Sequence, residues 1–140
     1  VGSPTRRRRE RERRERAREV LARCGLESVR HRQAAGLPTG TARLVELGRA
    51  LVDRPSMLLL DEPASGLDHG EAERFADVVE AVRTDDGTAV LLVEHDVGFV
   101  LGRCDRVVVL HLGQVLAEGL PDEIRADPRV RDAYLGAHAV

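Results

Sequence analysis

Two adjacent carboxylates, Asp61 and Glu62, follow directly after the apolar segment MLLL, and a third acid, Asp68, comes after the small residues PASGL. A second apolar run, Ala89–Val93, is closely followed by His95. An unpartnered carboxylate is costly to bury, so acids at the end of a core strand need a cation, a hydrogen-bond network or a chemical role. The residues that follow these two runs are therefore candidates for metal-assisted or acid–base chemistry.

Three short, continuous apolar runs predict strands, at residues 57–60, 89–93 and 107–110. Such runs are typical of parallel strands that helices cover on both faces. Between the first two runs, residues 70–83 place an apolar stripe at helical spacing, which predicts a strand–helix–strand unit. Since ligands gather at the carboxyl ends of strands in open parallel sheets, this edge is the expected site.

The remaining elements are predicted from helix periodicity, stop signals and turn residues. They are a helix over 10–24 that stops at Gly25, a helix from about Thr41 that ends before Pro55, a short helix over 97–102, a turn at Gly113 with a returning strand, and two short helices separated at Pro128.

Length and composition favour one compact domain of 140 residues, 42% hydrophobic and 33% charged. No apolar run approaches the roughly 18 to 20 residues that a membrane span needs, and no apolar segment of a secretory signal follows the basic N-terminal residues. Cys24 and Cys104 lack the spacing of a metal site, so we expect reduced cysteines that serve packing.

Charge is uneven along the chain. Residues 1–18 hold nine arginines and three glutamates, a net charge of +6, and because the whole chain carries −2 the rest carries −8. A basic segment can bind nucleic acid or anionic lipid. Its interleaved Glu and Arg favour a solvated helix with paired charges instead. All 22 basic residues are arginine, so the chain contains no P-loop lysine.

The segment LLLDEPASGLD, followed by His95 in VLLVEHD, resembles the Walker B, D-loop and H-loop motifs of ABC-type ATPases in their order and spacing. The resemblance implies an α/β chain with part of the three-layer, P-loop NTPase-like fold: a mostly parallel sheet with flanking helices, lacking the N-terminal half. It also implies ATP and Mg²⁺ as cofactors.

The same resemblance implies roles for individual residues. Asp61 would hold Mg²⁺ through water, and Glu62 would orient and deprotonate the attacking water. His95 would contact the γ-phosphate. Positioning and charge neutralisation of this kind are what phosphoryl transfer requires. Coupling between two nucleotide sites across a dimer would fall to the D-loop residues Ser65, Gly66 and Asp68.

Upstream, GLPTGTARLVELGRAL occupies the place of the ABC signature motif. Gly40 and the ARAL-like end match the family pattern, whereas Pro38 replaces the usual serine and has neither a hydroxyl nor an N–H. Gly40 and the start of the following helix keep the anion-binding character of a helix N-terminus. We therefore expect Gly40 to be a nucleotide contact, although a weakened one.

The tail EGLPDEIRADPRVRDAYLG is similar to that of the branched-chain amino acid (Liv-type) ATPases. The predicted organisation has four segments: an arginine-rich helix over 1–24, a signature region over 25–56, half of an ATPase core over 57–119 and a helical tail over 120–140.

The resemblance implies the C-terminal portion of an ABC transporter's ATP-hydrolysing subunit, driving branched-chain amino acid import. Without Walker A and the Q-loop, we expect the isolated chain to be inactive. The alternatives are an inactive remnant that acts as an interaction module, or the ATPase of a related urea or amide importer or lipopolysaccharide exporter.

Expected partners are a second ATPase subunit, transmembrane permease subunits and a separate chain carrying the P-loop half, with no nucleic acid. The expected location is cytoplasmic, on the inner face of the plasma membrane.

Overall fold

The computed structural model describes residues 4–135, so the outermost residues of the predicted first and last segments, 1–3 and 136–140, lie outside it. The described chain divides into two compact units after Leu91.

Unit 1 holds three long helices and its strands. They are α1 (Pro4–Arg23), α2 (Thr39–Leu51), β1 (Met57–Asp61), α3 (His69–Asp86) and β2 (Ala89–Val93), of which β2 runs across the boundary between the units; two single-turn helices, Glu27–Val29 and Ala34–Gly36, lie between α1 and α2.

Helix α1 begins at Pro4, well before the predicted start near residue 10. Ion pairs one turn apart support this extra length, including Arg8 to Glu12 at 2.9 Å and Arg14 to Glu10 at 3.0 Å. Among the described residues, no helix is long and apolar enough to cross a membrane.

Helices α2 and α3 bury one face of β1. Leu58 is 5% exposed and shares a core cluster with residues of α1, α2 and α3. Helix α1 joins this core through a close approach to α2, where a Cβ on Gly48 would lie 3.2 Å from Cγ1 of Val20. The buried members of the cluster are Cys24, Leu26, Leu47, Leu51, Leu58, Phe75 and Val82.

The opposite face of β1 is bare. Met57 is 52% and Leu59 67% exposed, and Leu91 of the neighbouring strand β2 is 53% exposed. The alternation follows the two-residue period of a strand. The prediction that helices cover both faces is therefore wrong for this chain, because the described residues supply a helical layer for only one face of β1.

Unit 2 is built on an antiparallel hairpin. Strands β3 (Val107–His111) and β4 (Gln114–Gly119) pair in a two-stranded sheet of their own, separate from the sheet of β1 and β2. The predicted turn at Gly113 is confirmed, and it has positive φ at both Leu112 (49°) and Gly113 (78°), as type I′ turns require.

Three short helices complete unit 2: α4 (Val97–Leu101), α5 (Pro121–Ala126) and α6 (Pro128–Val130), followed by a π-helical turn (Arg131–Leu135). Pro128 begins α6, as the predicted separation of the two tail helices requires. The unit has its own core, whose buried members are Leu101, Val107, Ala117, Ile124 and Val130.

Both cysteines are free, as predicted. Cys24 is buried and Cys104 half-buried, and burial raises the pKa of each thiol above its usual value. A thiol with a raised pKa holds less of the reactive thiolate. Both cysteines are therefore expected to act in packing.

The contrast between the two faces of β1 gives the first prediction. Leu58→Ala should lower the free energy of unfolding by about 2 to 4 kcal/mol, because it leaves a cavity in the core. Leu59→Ala should lower it by less than about 1 kcal/mol and should reduce self-association, because it removes exposed apolar surface. Urea denaturation and light scattering measure the two effects. Equal destabilisation by both substitutions would contradict the one-sided burial of β1.

Candidate functional site

The first part of the candidate site is the end of β1. Asp61 is the last residue of the strand, and both Asp61 and Glu62 are exposed. Glu62 has a φ of 43°, in the left-handed region that long side chains rarely adopt. The Glu62 carbonyl accepts a hydrogen bond from the Ser65 N–H at 3.1 Å, which closes a turn. Backbone strain of this kind clusters at functional sites.

The turn continues into α3 through the predicted D-loop. Gly66 has a φ of 77°, which a residue without Cβ adopts at no steric cost. Asp68 caps α3: its Oδ1 accepts from the Glu71 N–H at 2.8 Å, and Glu71 Oε2 accepts from the Asp68 N–H at 3.2 Å. This reciprocal capping box fixes where the turn ends and the helix begins.

The start of α2 lies against this D-loop. Pro38 is the N-cap of α2 and makes no side-chain capping bond. Gly40 is buried, and a Cβ at this position would lie 2.5 Å from Oε1 of Glu71. The Cγ2 methyl of Thr39 lies 4.0 Å from where a Cβ on Gly66 would be. The structure thus brings Gly40 together with the D-loop residues.

The close approach of Glu71 is by itself a reason for glycine at position 40, so glycine there does not require a nucleotide contact. A carboxylate beside the first turn of α2 is also favourable, since a helix N-terminus carries partial positive charge. The role of Gly40 as a nucleotide contact therefore stays a prediction. Sequence reasoning missed Glu71, although the spacing D-x-x-E from Asp68 is a recognisable capping-box signal.

His95 belongs to unit 2 and follows β2. Its side chain is 71% exposed, whereas that of Glu94 is 1% exposed. Glu94 Oε2 accepts a hydrogen bond from the His95 N–H at 3.2 Å. Asp96 then caps α4 by accepting from the Phe99 N–H at 2.9 Å. The imidazole is accessible, and its approach to Asp61 and Glu62 stays a prediction because these acids belong to unit 1.

The acids at the end of β1 are better suited to Mg²⁺ than to a cation whose ligands all come from protein side chains. Within residues 4–135, no three side chains of His, Cys, Asp or Glu come together as a metal cluster. Mg²⁺ keeps several waters and generally uses one or two carboxylates together with substrate phosphates. The adjacent, exposed carboxylates of Asp61 and Glu62 match that donor set.

The α/β units and the strand–acid–turn–helix arrangement define a class of protein, and two known protein families match parts of the chain. Residues 3–65 match the family described as "ABC transporter". Residues 114–140 match the family described as "Branched-chain amino acid ATP-binding cassette transporter". The chain belongs to the ATP-binding family of ABC transporters.

The chain is also similar to individual curated proteins of this family. The chain is 41% identical over 134 residues to the high-affinity branched-chain amino acid transport ATP-binding protein LivG of Salmonella typhimurium, a match that covers 96% of the chain and 52% of LivG. It is 39% identical over 125 residues to the lipopolysaccharide export system ATP-binding protein LptB of Acidithiobacillus ferridurans, covering 89% of the chain and 52% of LptB. The chain thus spans about half the length of these curated relatives.

A solved structure confirms the predicted fold class. The ADP conformation of MJ1267, an ATP-binding cassette of an ABC transporter, superposes with a TM-score of 0.76 at 34% identity, covering 87% of this chain and 49% of that one.

The contact between Gly40 and Glu71 gives a double-mutant prediction. Glu71→Ala should cost about 1 kcal/mol by removing one arm of the capping box. Gly40→Ala should be nearly neutral alone, because the gain in helix propensity is offset by displacement of Glu71. In the Glu71→Ala background, Gly40→Ala should stabilise by about 0.5 to 1 kcal/mol. Thermal unfolding of the four proteins measures this coupling, and additive effects would contradict the contact.

The left-handed backbone of Glu62 gives a third prediction. Glu62→Gly should raise the free energy of unfolding by about 0.5 to 1 kcal/mol, because glycine relieves the strain at positive φ. Asp77→Gly, an exposed position within α3, is the control and should lower the free energy of unfolding by about 1 kcal/mol. If both glycine substitutions destabilise to the same extent, Glu62 is not strained.

Proposed function

We propose that this chain supplies the acidic part of an ATP-hydrolysing site in the ATP-binding subunit of an ABC transporter. The observation that carries the proposal is the end of β1. There a metal-binding type of carboxylate, Asp61, is followed by Glu62, whose backbone is left-handed at the turn that leads into the D-loop. Membership of the ABC family gives this arrangement its chemical meaning.

In this proposal Glu62 is the general base. Its exposed carboxylate would accept a proton from the water that attacks the γ-phosphate, and the turn closed by the Ser65 N–H holds Glu62 directly after the strand end. A positioned base contributes about 10² to 10⁴ in rate. Asp61 would hold Mg²⁺, and the bound ion would supply neutralisation of phosphate charge.

The remaining predicted residues contribute contacts around the same nucleotide. His95 is the γ-phosphate contact. Gly40 at the start of α2 and the D-loop residues face a second nucleotide site across a dimer. Glu71 lies against Gly40 and caps Asp68, which links the start of α2 to the D-loop. The D-loop residues concerned are Ser65, Gly66 and Asp68.

In this proposal the phosphate cradle comes from residues other than these 140. The 140 residues contain no lysine, and a P-loop requires one. The bare apolar face of β1, with Met57 and Leu59, offers a surface for such a polypeptide. The partners we propose are a P-loop-bearing segment, a second ATP-binding subunit and transmembrane permease subunits, which would hold the chain at the cytoplasmic face of the membrane.

We further propose branched-chain amino acids as the transported solutes. The name of LivG and the family match over residues 114–140 both support this choice. LptB, whose name specifies lipopolysaccharide export, is nearly as similar. Export of lipopolysaccharide is therefore one competing assignment, and transport assays with the cognate permease separate it from amino acid import.

A second candidate function is a non-catalytic interaction module. The absence of lysine and the exposed apolar face of β1 favour it for the isolated chain. Such a module would bind its partners without turning over ATP.

The test uses the chain alone and the chain mixed with the P-loop-bearing part of LivG from Salmonella typhimurium. We expect no Mg²⁺-dependent ATP hydrolysis from either polypeptide alone and measurable hydrolysis from the mixture. Glu62→Gln should lower kcat by about 10² to 10⁴ with little change in KM, since a base acts in the transition state. Asp61→Asn should raise the Mg²⁺ concentration needed for half-maximal rate.

Two matched controls carry the same chemical change at exposed acids without an assigned role, Glu27→Gln and Asp53→Asn, and both should keep full activity. Hydrolysis that survives Glu62→Gln in the mixture would contradict the proposed base. Complex formation without any hydrolysis would favour the interaction module.

A further inference from the structure

Four arginines form a row along one face of α1. Arg6, Arg9, Arg13 and Arg16 are spaced by three, four and three residues, which places them on one side of a helix. At 1.5 Å per residue the row is about 15 Å long. All four residues are exposed.

The three glutamates of this part of α1 form their ion pairs with arginines outside the row. Glu12 pairs with Arg8, Glu15 with Arg11 and Glu10 with Arg14, at 2.9, 3.7 and 3.0 Å. The hydrogen bond from Arg8 lowers the pKa of Glu12, and the charges of Arg16 and Arg11 lower it further, so Glu12 offsets part of the charge at the Arg16 end of the row. Among the residues that the structure describes, the four arginines of the row make no ion pair.

The row continues the face by which α1 is anchored to the body of unit 1. The next positions at helical spacing are Val20 and Cys24, which belong to the core cluster of that unit. Arg23 adds an ion pair to Asp86 of α3 at 2.6 Å. The arginine row is thus presented by a helix whose far end is fixed.

Four like charges at this spacing repel one another, because positions three and four apart are neighbours on a helix. The repulsion is relieved when an extended anionic surface neutralises the whole row at once. No apolar residue occurs between Thr5 and Arg16, so contact with such a surface would be electrostatic and would not involve insertion.

We propose that the arginine row of α1 binds the anionic surface of a lipid bilayer. The cytoplasmic leaflet is negatively charged, and basic residues near it are attracted individually. Cytoplasmic loops of membrane proteins carry excess lysine and arginine, which would repel the row. Single-stranded nucleic acid is usually held by aromatic stacking as well, and this helix has no aromatic residue. The choice of a membrane rests on the proposed transporter function.

The experiment is vesicle sedimentation of the full chain, without nucleotide. Vesicles that contain phosphatidylglycerol should bind the chain about tenfold more tightly than pure phosphatidylcholine vesicles, and high salt should abolish the difference. A variant with Arg6, Arg9, Arg13 and Arg16 all changed to Gln should lose this preference. Circular dichroism checks that α1 is retained.

A matched control changes four exposed arginines outside the row, Arg30, Arg32, Arg74 and Arg125, to Gln, which gives the same net charge. This control should keep the preference for phosphatidylglycerol, and an equal loss in both variants would overturn the proposal. Displacement of the chain from vesicles by an equal phosphate concentration of duplex DNA would also overturn it, in favour of nucleic acid. Because no nucleotide is present, failure here is distinguishable from failure of the ATPase proposal.

Discussion

The burial of Leu58 is the constraint on which the candidate site depends. This residue lies in the core with side chains of α2 and α3, and it fixes the register of β1. Since strand side chains alternate between two faces, this register puts Met57, Leu59 and Asp61 on the opposite face. A slip of one residue would bury Asp61 and expose Leu58. Core packing thus determines which face of the sheet carries the acid.

The same packing joins three short segments that are distant in sequence. Helix α3 is positioned by the core and begins at Asp68, whose capping box with Glu71 ends the turn after β1. Glu71 in turn lies against Gly40 at the start of α2. The strand end, the D-loop and the signature segment therefore form one connected arrangement within unit 1.

Local patterns in the sequence predicted most of the elements. The apolar runs located the strands to within a residue, and the stripes of leucine, valine and phenylalanine located α2 and α3, because burial of one helix face imposes the period directly. The start of α1 was predicted too late, since its first turns are supported by ion pairs and not by apolar residues. Coverage of the sheet could not be predicted, because a continuous apolar run does not reveal which of its faces finds a partner within the same chain.

Only those residues of the candidate site that belong to a recognisable sequence motif could be predicted. Asp61, Glu62 and Asp68 were found from their position after an apolar run and from the family resemblance. The left-handed backbone at Glu62 is set by the turn that follows β1. The residue type at this position does not indicate it. The contact between Gly40 and Glu71 joins residues that are neighbours only after α2 and α3 pack together, so it required the structure.

The central claim is that the carboxylates at the end of β1 face a nucleotide-bound divalent cation. Mn²⁺ replaces Mg²⁺ in such sites and broadens the NMR signals of nearby amides. We therefore expect Mn²⁺–ATP, added to the ¹⁵N-labelled chain together with the P-loop-bearing part of LivG, to broaden the amides of Asp61, Glu62 and Ser65 and to spare that of Leu112 in the hairpin turn. Broadening that is equal at all four amides, or absent from the three at the end of β1, would contradict the claim.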